Sequence, residues 1–298
     1  WSGTMNLTEP SAGSDVGALK TKAVPLGNGE YLISGQKIYI SWGDHDLSEN
    51  ICHLVLARCV DSPEGSKGIS LFIVPKFISK EEKIVLNHVE TISLEKKMGL
   101  HGSPTAIIQY TESKGWIVGQ ENNGMAAMFT MMNNARLGVA VQGLSQCEIS
   151  TQHAIKYAKE RVQGRSSKPG GSGKIVDHPD VRRNLLIMKS LTSAVRAICY
   201  DTAISIDLSS TVYGDYYKSK AAFMIPIAKA FSTDIACEVT QLGVQVHGGM
   251  GYITDTGVEQ FYRDARVTSI YEGTNGIQAI DLVGRKMIDN GITAKNII

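Results

Sequence analysis

The sequence lacks several features that would assign it to a class of protein at once. No apolar run reaches the roughly 20 residues that a bilayer requires, so we expect no transmembrane helix. Its 30 basic and 29 acidic residues leave a net charge of +1, and no segment has the excess of lysine and arginine that a nucleic-acid surface needs. Membrane-spanning and nucleic-acid-binding proteins are therefore not expected.

Cysteine is also scarce. The five cysteines are odd in number and form no C-x-x-C pair, which indicates reduced thiols rather than a disulfide framework. The chain opens at Trp1, and no signal peptide can be read from its first residues. We expect no bound metal and an intracellular protein, in the bacterial cytoplasm or, as the alternative, in the mitochondrial matrix.

Short apolar runs separated by turn residues fill the first 118 positions. Typical runs are YLIS from Tyr31, HLVLA from His53 and SLFIV from Ser70, with glycine-rich turns such as residues 27–29 between them. Many short strands without intervening helices are typical of an antiparallel barrel or sandwich. We predict that residues 1–118 form a β domain of this kind.

The pattern changes to helical spacing near Gly119. Residues 123–162 contain no proline, and Pro179 stands where the first turn of a second helix tolerates it. Further helices are predicted over residues 217–246, 258–265 and 277–289. Long amphipathic helices in succession predict an up-and-down four-helix bundle over residues 119–298. The whole chain is thus predicted to be α+β.

Two motifs in the predicted β domain suggest ligand contacts. Residues 8–15, TEPSAGSD, combine proline and glycine with small hydroxyls, so they form either a loop that cradles a cofactor or an ordinary turn. Tyr39 and Ser41 lie two apart on one face of a strand, where they could flank a planar ring system. Taken alone, Tyr39 is interpreted as a half-buried aromatic of the strand.

Two further motifs lie in the helical part. Residues 245–251, QVHGGMG, place three glycines at a helix end, where they permit left-handed backbone and close approach of a ligand, although a helix cap explains one of them. Glu272 stands between Tyr271 and Gly273, and in a dry pocket such a carboxylate has a raised pKa and acts as a base. The alternative is a solvated glutamate that favours the positive end of a helix dipole.

Five motifs occur in an order that resembles the acyl-CoA dehydrogenase family. They are E-P-x-A-G-S-D from Glu9, G-x-K-x-Y-I-S from Gly35, E-R-x-Q from Glu160, Q-x-x-G-G-x-G from Gln245 and R-D-A-x-x-x-x-I-Y-E-G-T from Arg263. The resemblance covers essentially the whole chain. It implies the family's middle β domain and C-terminal four-helix bundle, and the N-terminal helical domain of the family is expected to be missing.

The resemblance implies FAD as the cofactor. It assigns Leu7 and Thr8 to the flavin ring, Tyr39 to the aromatic beside that ring, and Ser41 to the hydroxyl at its N5 edge. The matching FAD contacts in the helical part are Arg161, Gln163, Gln245, Gly248, Gly249 and Thr274. In the family, the counterparts of Arg161 and of the stretch from Gln245 reach the FAD of a neighbouring subunit.

The same resemblance implies an acyl-CoA substrate and a chemical role for Glu272. The residues that match substrate contacts are Ser14, Asn133, Arg136 and Gly273. Glu272 is the implied base that takes the α-proton of the thioester, and a hydride leaves Cβ for flavin N5 to give the trans-2-enoyl-CoA, as in fatty acid β-oxidation. The implied partners are an electron-transfer flavoprotein as acceptor and further copies of the chain in a dimer or tetramer.

Three places depart from the family pattern. Gln163 runs directly into Gly164, where an aromatic residue is usual, and the glycine-rich insert that follows is longer than usual. Gly276 replaces a glutamine, and Ala135 occupies the position at which some branches carry the base, which leaves Glu272. The alternatives are an acyl-CoA oxidase and a noncatalytic flavin- or CoA-binding remnant, whereas a nitroalkane oxidase would carry an aspartate as its base.

Overall fold

The computed structural model describes residues 1–166, 169–212, 214–288 and 290–297. By its internal contacts the chain forms two compact units, Trp1–Met132 and Asn133–Ile298. The domain boundary near residue 119 stays a prediction. Asp289, where the last predicted helix ends, lies outside the described residues.

A sheet of seven strands and a separate two-stranded ribbon build the first unit. The strands are β1 Ser2–Asn6, β2 Lys22–Gly27, β3 Glu30–Ser41, β4 Ile51–Cys59, β5 Ile69–Pro75, β6 Phe77–Lys80, β7 Lys83–Leu86, β8 Val89–Leu94 and β9 Thr105–Ile117. The ribbon consists of β6 and β7. The apolar runs from Tyr31, His53 and Ser70 lie in β3, β4 and β5, as their alternation predicts.

The pairings of the large sheet run from β4 through β2, β3, β9 and β5 and return to β4, while β1 lies beside β4 and β8 beside β9. The prediction of a β domain followed by helices is confirmed. Two pairings depart from the antiparallel pattern, because β1 and β2 both run parallel to β4. β1 pairs with Ile51–Val55 and β2 with Arg58 and Cys59, so the two strands follow one another along the same edge of β4, joined by residues 7–21.

A buried ion pair ties the loop after β1 to β3. The Lys37 Nζ lies 2.8 Å from the Glu9 Oε1, and both side chains are shielded from solvent. Glu9 also accepts a hydrogen bond from the Thr21 hydroxyl at 2.6 Å, and Lys37 donates to the Leu7 carbonyl at 3.0 Å. Burial lowers the pKa of Lys37 to about 8; burial also opposes ionisation of Glu9, but Lys37 and the hydrogen bonds hold the Glu9 pKa below its ordinary value. Both groups therefore stay charged at neutral pH.

A bulge in β3 changes the surroundings of Tyr39. The register against β9 shifts between Lys37 and Ile40, and Tyr39 adopts a φ of +61°. Tyr39 is 62% exposed and Ser41 is exposed, whereas Ile40 between them is buried. The interpretation of Tyr39 as half-buried was wrong, because the bulge leaves its ring on the open side of the strand.

Three long helices and several short ones form the rest of the chain. They are α1 Gly124–Glu160, α2 Pro179–Leu208, α3 Gly214–His247, α4 Gly249–Tyr252, α5 Val258–Ala265, α6 Asn275–Asp281 and α7 Ile292–Ile297. The predicted starts and ends of α1, α3 and α5 and the predicted start of α2 are confirmed to within a few residues. The last predicted helix corresponds to α6, which packs on α3 and continues as a wider π turn over Leu282–Lys286.

Small side chains let the long helices of the second unit approach closely. A Cβ on Gly143 of α1 would lie 2.7 Å from the Ser232 carbonyl oxygen of α3. The Thr151 and Thr192 hydroxyls meet at 3.2 Å between α1 and α2. The apolar core around these contacts includes Leu144, Met188, Val195 and Val239. Pro226 lies inside α3, where it removes one backbone hydrogen bond without ending the helix.

Neither a bilayer span nor a disulfide is found in the part of the chain that the structure describes. No helix there has the combined length and apolar character that crossing a membrane requires. All five cysteines are free. Burial raises the pKa of Cys147 to about 12, so this thiol stays protonated and unreactive at neutral pH.

The Lys37 pair gives the first prediction. The Lys37→Met variant should lose about 3–5 kcal/mol of unfolding free energy, because it leaves the buried Glu9 carboxylate without its partner. Urea unfolding of the chain measures the loss. The control is Lys22→Met on the exposed face of β2, which should stay within about 0.5 kcal/mol of the parent. Equal losses in the two variants would contradict the stabilising role of the pair, and Glu9→Gln combined with Lys37→Met should recover most of the loss.

Candidate active site

The candidate active site is built on a tight turn between α5 and α6. After α5 the chain makes a short 3₁₀ turn, Arg266–Ser269, and then reverses through two residues with left-handed backbone. Glu272 has a φ of +54° and Gly273 a φ of +84°. A positive φ is uncommon for a residue with a Cβ, so the surroundings must hold Glu272 in place. Thr274 then caps α6 by accepting a hydrogen bond from the Ile277 N–H at 3.3 Å.

Three buried side chains hold the carbonyl groups of this turn. The Lys229 Nζ donates to the Gly273 carbonyl at 2.8 Å, and the Gln278 Nε2 donates to the same oxygen at 3.1 Å. Gln278 also donates to the Glu272 carbonyl at 3.2 Å, and the Arg136 Nε lies 3.4 Å from that oxygen. Both carbonyls therefore point toward a buried set of donors, which accounts for the strained backbone.

The same set of donors is fixed by its own partners. The Arg136 Nη1 forms a buried ion pair with the Asp281 Oδ2 at 3.0 Å, and the Arg285 Nε lies 2.7 Å from the other Asp281 oxygen. Lys229 also donates to the Asn275 Oδ1 at 2.9 Å, and the Asn275 amide donates to the Ala230 carbonyl at 3.2 Å. The turn, α1, α3 and α6 are thus joined by charge-assisted hydrogen bonds.

The surroundings of Glu272 favour its protonated form. Burial raises the pKa of Glu272 above its usual range, and the positive charges of Arg136 and Lys229 hold that rise in check. Burial lowers the pKa of Lys229 to about 8, against the opposing effect of Asp234. The interpretation of Glu272 as a solvated residue at a helix start is not supported, since its carboxyl is half-buried and precedes the cap of α6.

The neighbouring tyrosine anchors the turn to α1. The Tyr271 hydroxyl donates a hydrogen bond to the Gln142 Oε1, and burial, with a contribution from Glu272, raises the pKa of Tyr271 to about 12. Tyr271 therefore stays neutral beside the carboxylate.

The Glu272 N–H donates to no acceptor in the described part of the chain, so a proton acceptor and an available backbone donor occur on one residue. That combination suits abstraction of a proton next to a carbonyl group.

A second group of predicted residues lies where α1 and α3 end. The Tyr157 ring stacks on the His247 ring with centroids 4.4 Å apart, which brings these two ends together. The predicted cofactor contacts Arg161, Gln163, Gln245, Gly248 and Gly249 are all exposed there. A Cβ would meet nothing within 4 Å at either of the two glycines, so their backbone is open to close approach by a ligand.

The glycine-rich insert after α1 is closed at its base. The Gln163 N–H donates to the Gly173 carbonyl at 2.9 Å, and the Ile175 N–H donates to the Arg161 carbonyl at 2.8 Å. The His178 Nε2 lies 2.7 Å from the Gln163 carbonyl oxygen. These bonds fix the backbone of the two predicted contacts and leave their side chains exposed.

In the first unit, the buried ion pair places the predicted flavin contacts. Lys37 holds the Leu7 carbonyl, and the Ile38 N–H donates to the Thr8 carbonyl at 3.0 Å. Leu7 and Thr8 therefore lie against the part of β3 that carries the exposed Tyr39 and Ser41. An exposed aromatic ring beside two hydroxyls fits a planar cofactor ring. Ser14 is exposed on the same loop, where Asp15 accepts a hydrogen bond from the Gly17 N–H.

The predicted substrate contacts of the second unit are also brought together. The Arg136 Nη1 lies 3.5 Å from the Asn133 Oδ1, and its Nε faces the Glu272 carbonyl next to Gly273. Sequence reasoning missed the groups that support the site, namely the buried Glu9, Lys37, Lys229, Gln278 and Asp281 and the partly buried Asn275. One signal was available for Lys229, because it stands at helical spacing from Ile225, Ser232 and Ala236 on the buried face of α3.

Family profiles match both units. The profile described as "Acyl-CoA dehydrogenase, middle domain" matches residues 4–113, and "Acyl-CoA dehydrogenase, C-terminal domain" matches residues 122–288. The two profiles follow the order of the structure, a β unit and then a helical unit, which is the arrangement of a dehydrogenase of this family. The chain belongs to the acyl-CoA dehydrogenase family.

Individual relatives agree with this assignment. The chain is 50% identical to the 3-methylmercaptopropionyl-CoA dehydrogenase of Ruegeria pomeroyi over 99% of its own length and 52% of the relative. It is 42% identical to a butyryl-CoA dehydrogenase of Syntrophomonas wolfei, over 96% of the chain and 50% of the relative. The structure of Caenorhabditis elegans ACDH-11 in complex with C11-CoA matches 97% of the chain and 47% of the other, with a TM-score of 0.85 at 27% identity. The chain spans about half the length of the curated relatives it matches.

Alanine substitutions at Gly273 and Gly276 test whether the backbone of the turn is strained. Gly273→Ala should cost about 1–3 kcal/mol of unfolding free energy, because Gly273 has a positive φ and the new Cβ would lie 2.8 Å from the Gln278 Nε2. The matched control is Gly276→Ala in the first turn of α6, whose nearest neighbour would be the Thr274 Oγ1 at 3.8 Å. That change should stabilise the chain by about 0.5–1 kcal/mol. Urea unfolding compares the two, and equal effects would show that the turn is not constrained.

Proposed function

We propose that this chain carries out the α,β-dehydrogenation of an acyl-CoA thioester, with FAD as hydride acceptor and Glu272 as the base. The observation that supports this most is the Glu272 turn. A half-buried carboxyl with a raised pKa stands on a backbone whose carbonyls are held by buried donors and whose N–H is available. A thioester α-proton is only weakly acidic, so a base needs this kind of support.

Each group at the Glu272 turn has a separate proposed role in the reaction. The Glu272 carboxylate accepts the α-proton, and the Glu272 N–H donates to the thioester carbonyl, where negative charge develops. Gly273 allows the left-handed backbone beside the base. Asn133 would stand near the CoA moiety and the reacting thioester, and the buried Arg136 would act there from behind the turn, through its contact with the Glu272 carbonyl. Keeping water away strengthens each of these electrostatic contacts.

FAD, when bound, supplies the flavin N5 that accepts the hydride from Cβ. In the first unit Leu7, Thr8, Tyr39 and Ser41 would hold the flavin ring, and Ser14 would contact the acyl-CoA. The exposed Tyr39 ring and the exposed Ser41 hydroxyl fit this role.

The contacts to the rest of the cofactor would come from the second unit. The residues proposed for the adenosine and pyrophosphate part are Arg161, Gln163, Gln245, Gly248 and Gly249, and Thr274 would add a further contact. The open backbone at the two glycines fits the close approach of a pyrophosphate. Because the family counterparts of Arg161 and Gln245 serve the FAD of a neighbouring subunit, we propose that the chain acts as a homodimer or homotetramer.

Family membership supports three further proposals. The electron acceptor is an electron-transfer flavoprotein, and the pathway is fatty acid β-oxidation or a related acyl-CoA degradation. Because the 50% identical relative is bacterial, the proposed compartment is the bacterial cytoplasm, with the mitochondrial matrix as the alternative. An acyl-CoA oxidase would share the base and the flavin but would pass electrons to oxygen. Flavin that is reduced by acyl-CoA and reoxidised slowly by air separates the dehydrogenase from the oxidase.

The base assignment is tested by Glu272→Gln. This variant should retain FAD but reduce it about 10²–10⁴-fold more slowly, because a positioned general base contributes that much and Ala135 offers no substitute. The measurement is anaerobic bleaching of the flavin absorbance with butyryl-CoA or 3-methylmercaptopropionyl-CoA. Glu238→Gln, on the exposed face of α3, is the control and should react like the parent. Near-normal reduction by Glu272→Gln would rule out Glu272 as the base.

The pH dependence of flavin reduction also tests the assignment of Glu272 as the base. Glu272 accepts a proton only when it is ionised, so the rate of flavin reduction should rise as the pH climbs through the Glu272 pKa. Burial raises that pKa, so the acid limb should lie at a higher pH than for an ordinary glutamate. A rate that is level through this range would contradict the role of Glu272.

Assembly is tested by Arg161→Ala. If Arg161 binds the pyrophosphate, its loss should weaken FAD binding about 10- to 100-fold, the effect of losing a charge-assisted hydrogen bond. Lys159→Ala, an exposed lysine in the last turn of α1, is the control and should bind FAD like the parent. On size exclusion, flavin should travel with a dimer or larger species. A flavin-saturated monomer would contradict the shared site.

A further inference from the structure

The buried lysine of α3 has a part in the chemistry that its position in the sequence does not reveal. We propose that Lys229 is a positioning residue for the proposed catalytic base: it orients the Glu272 turn through the Gly273 carbonyl and places a positive charge behind the Glu272 carboxylate. This inference rests on the proposed dehydrogenase function. Lys229 itself does not touch the reacting atoms in this proposal.

The geometry is that of a fixed support. Lys229 is 0% exposed, and its ammonium group donates to the Gly273 carbonyl at 2.8 Å and to the Asn275 Oδ1 at 2.9 Å. It reaches the turn from the middle of a 34-residue helix, which is a rigid base. A buried ammonium is costly, so a position that retains one must satisfy it with charged or polar partners.

Holding the Gly273 carbonyl also fixes the reacting residue. A peptide group is planar, so the donors on the Glu272 and Gly273 carbonyls set two successive peptide planes. The Glu272 Cα belongs to the first of these planes. The direction of the Glu272 side chain and the left-handed backbone of the turn therefore depend on Lys229 and Gln278. A shift of about 1 Å in such a group costs about 10²-fold in rate.

The charges around the base come from several elements. Arg136 of α1 and Lys229 of α3 both act on Glu272, and both lower its pKa against the larger effect of burial. Arg136 is neutralised in part by its ion pair with Asp281, whereas Lys229 has neutral partners at hydrogen-bond distance. The remaining charged groups that act on this pair of cations are Asp234 and Arg285.

Two substitutions separate the hydrogen bond from the charge. Lys229→Met removes both, and Lys229→Gln removes the charge but keeps an N–H donor on a side chain that is one bond shorter. The matched control is Lys220→Met on the same helix, which removes a partly exposed lysine paired with Asp201 at 2.7 Å. Each variant is prepared as the flavin-loaded protein. The Glu272 carboxyl is titrated by infrared difference spectroscopy against Glu272→Gln, and flavin reduction by butyryl-CoA is followed across pH.

We expect both Lys229 variants to titrate Glu272 at a higher pH than the parent and to move the acid limb of the rate profile by the same amount. Lys229→Met should also lose about 10²-fold in the rate at the plateau, and Lys229→Gln should lose less because it retains an N–H donor that faces the turn. Lys220→Met should match the parent in both measurements. If Lys229→Met does not fold, Lys229→Gln still tests the charge.

An unchanged titration of Glu272 would contradict the proposed role of Lys229. If Lys229 only stabilises the bundle, the variants will unfold more easily while Glu272 titrates at the same pH as in the parent, and the proposal is then wrong. The infrared titration needs no substrate. Failure of every acyl-CoA to reduce the parent flavin would therefore count against the proposed function, and an unchanged Glu272 titration would count against the role of Lys229.

Discussion

The cost of taking a positive charge out of water governs both regions of this chain that are proposed to bind the cofactor and the substrate. A buried ammonium group is tolerated only where acceptors surround it, and once they do it fixes the backbone that carries them. Lys37 meets Glu9 and the Leu7 carbonyl, and Lys229 meets the Gly273 carbonyl and Asn275. In each unit a loop proposed to contact the flavin or the substrate is thereby attached to a rigid strand or helix.

These attachments explain how a positive φ is tolerated at Tyr39 and at Glu272. Tyr39 and Glu272 both have a positive φ, which costs free energy for any residue with a side chain. At Tyr39 a bulge in β3 follows directly after the buried Lys37. At Glu272 the two carbonyls of the turn are held by Lys229, Gln278 and Arg136. Tyr39 and Glu272, which are proposed to contact the flavin and the substrate, thus stand on backbone whose positive φ is maintained by the buried donors.

The electrostatics of the base follow from the same arrangement. Burial raises the pKa of Glu272, and the positive charges of Arg136 and Lys229 oppose that rise. Cations placed behind the turn offset part of that effect without occupying the space in front of it. The proposed base therefore stands in a half-buried site where two cations oppose the effect of burial on its pKa.

The sequence by itself determined the kinds and order of the elements. Alternating apolar runs gave the strands around Tyr31, His53 and Ser70, helical spacing gave α1, α2, α3 and α5, and the order of five motifs gave the family and Glu272 as the predicted base. These patterns involve residues that are close in the sequence, so they can be recognised without knowledge of the fold. Only the tertiary structure decided that β1 and β2 run parallel to β4 and that Tyr39 is exposed. It alone decided that Lys37 and Lys229 are buried, because the burial of a charge depends on residues distant in the sequence that the fold brings together.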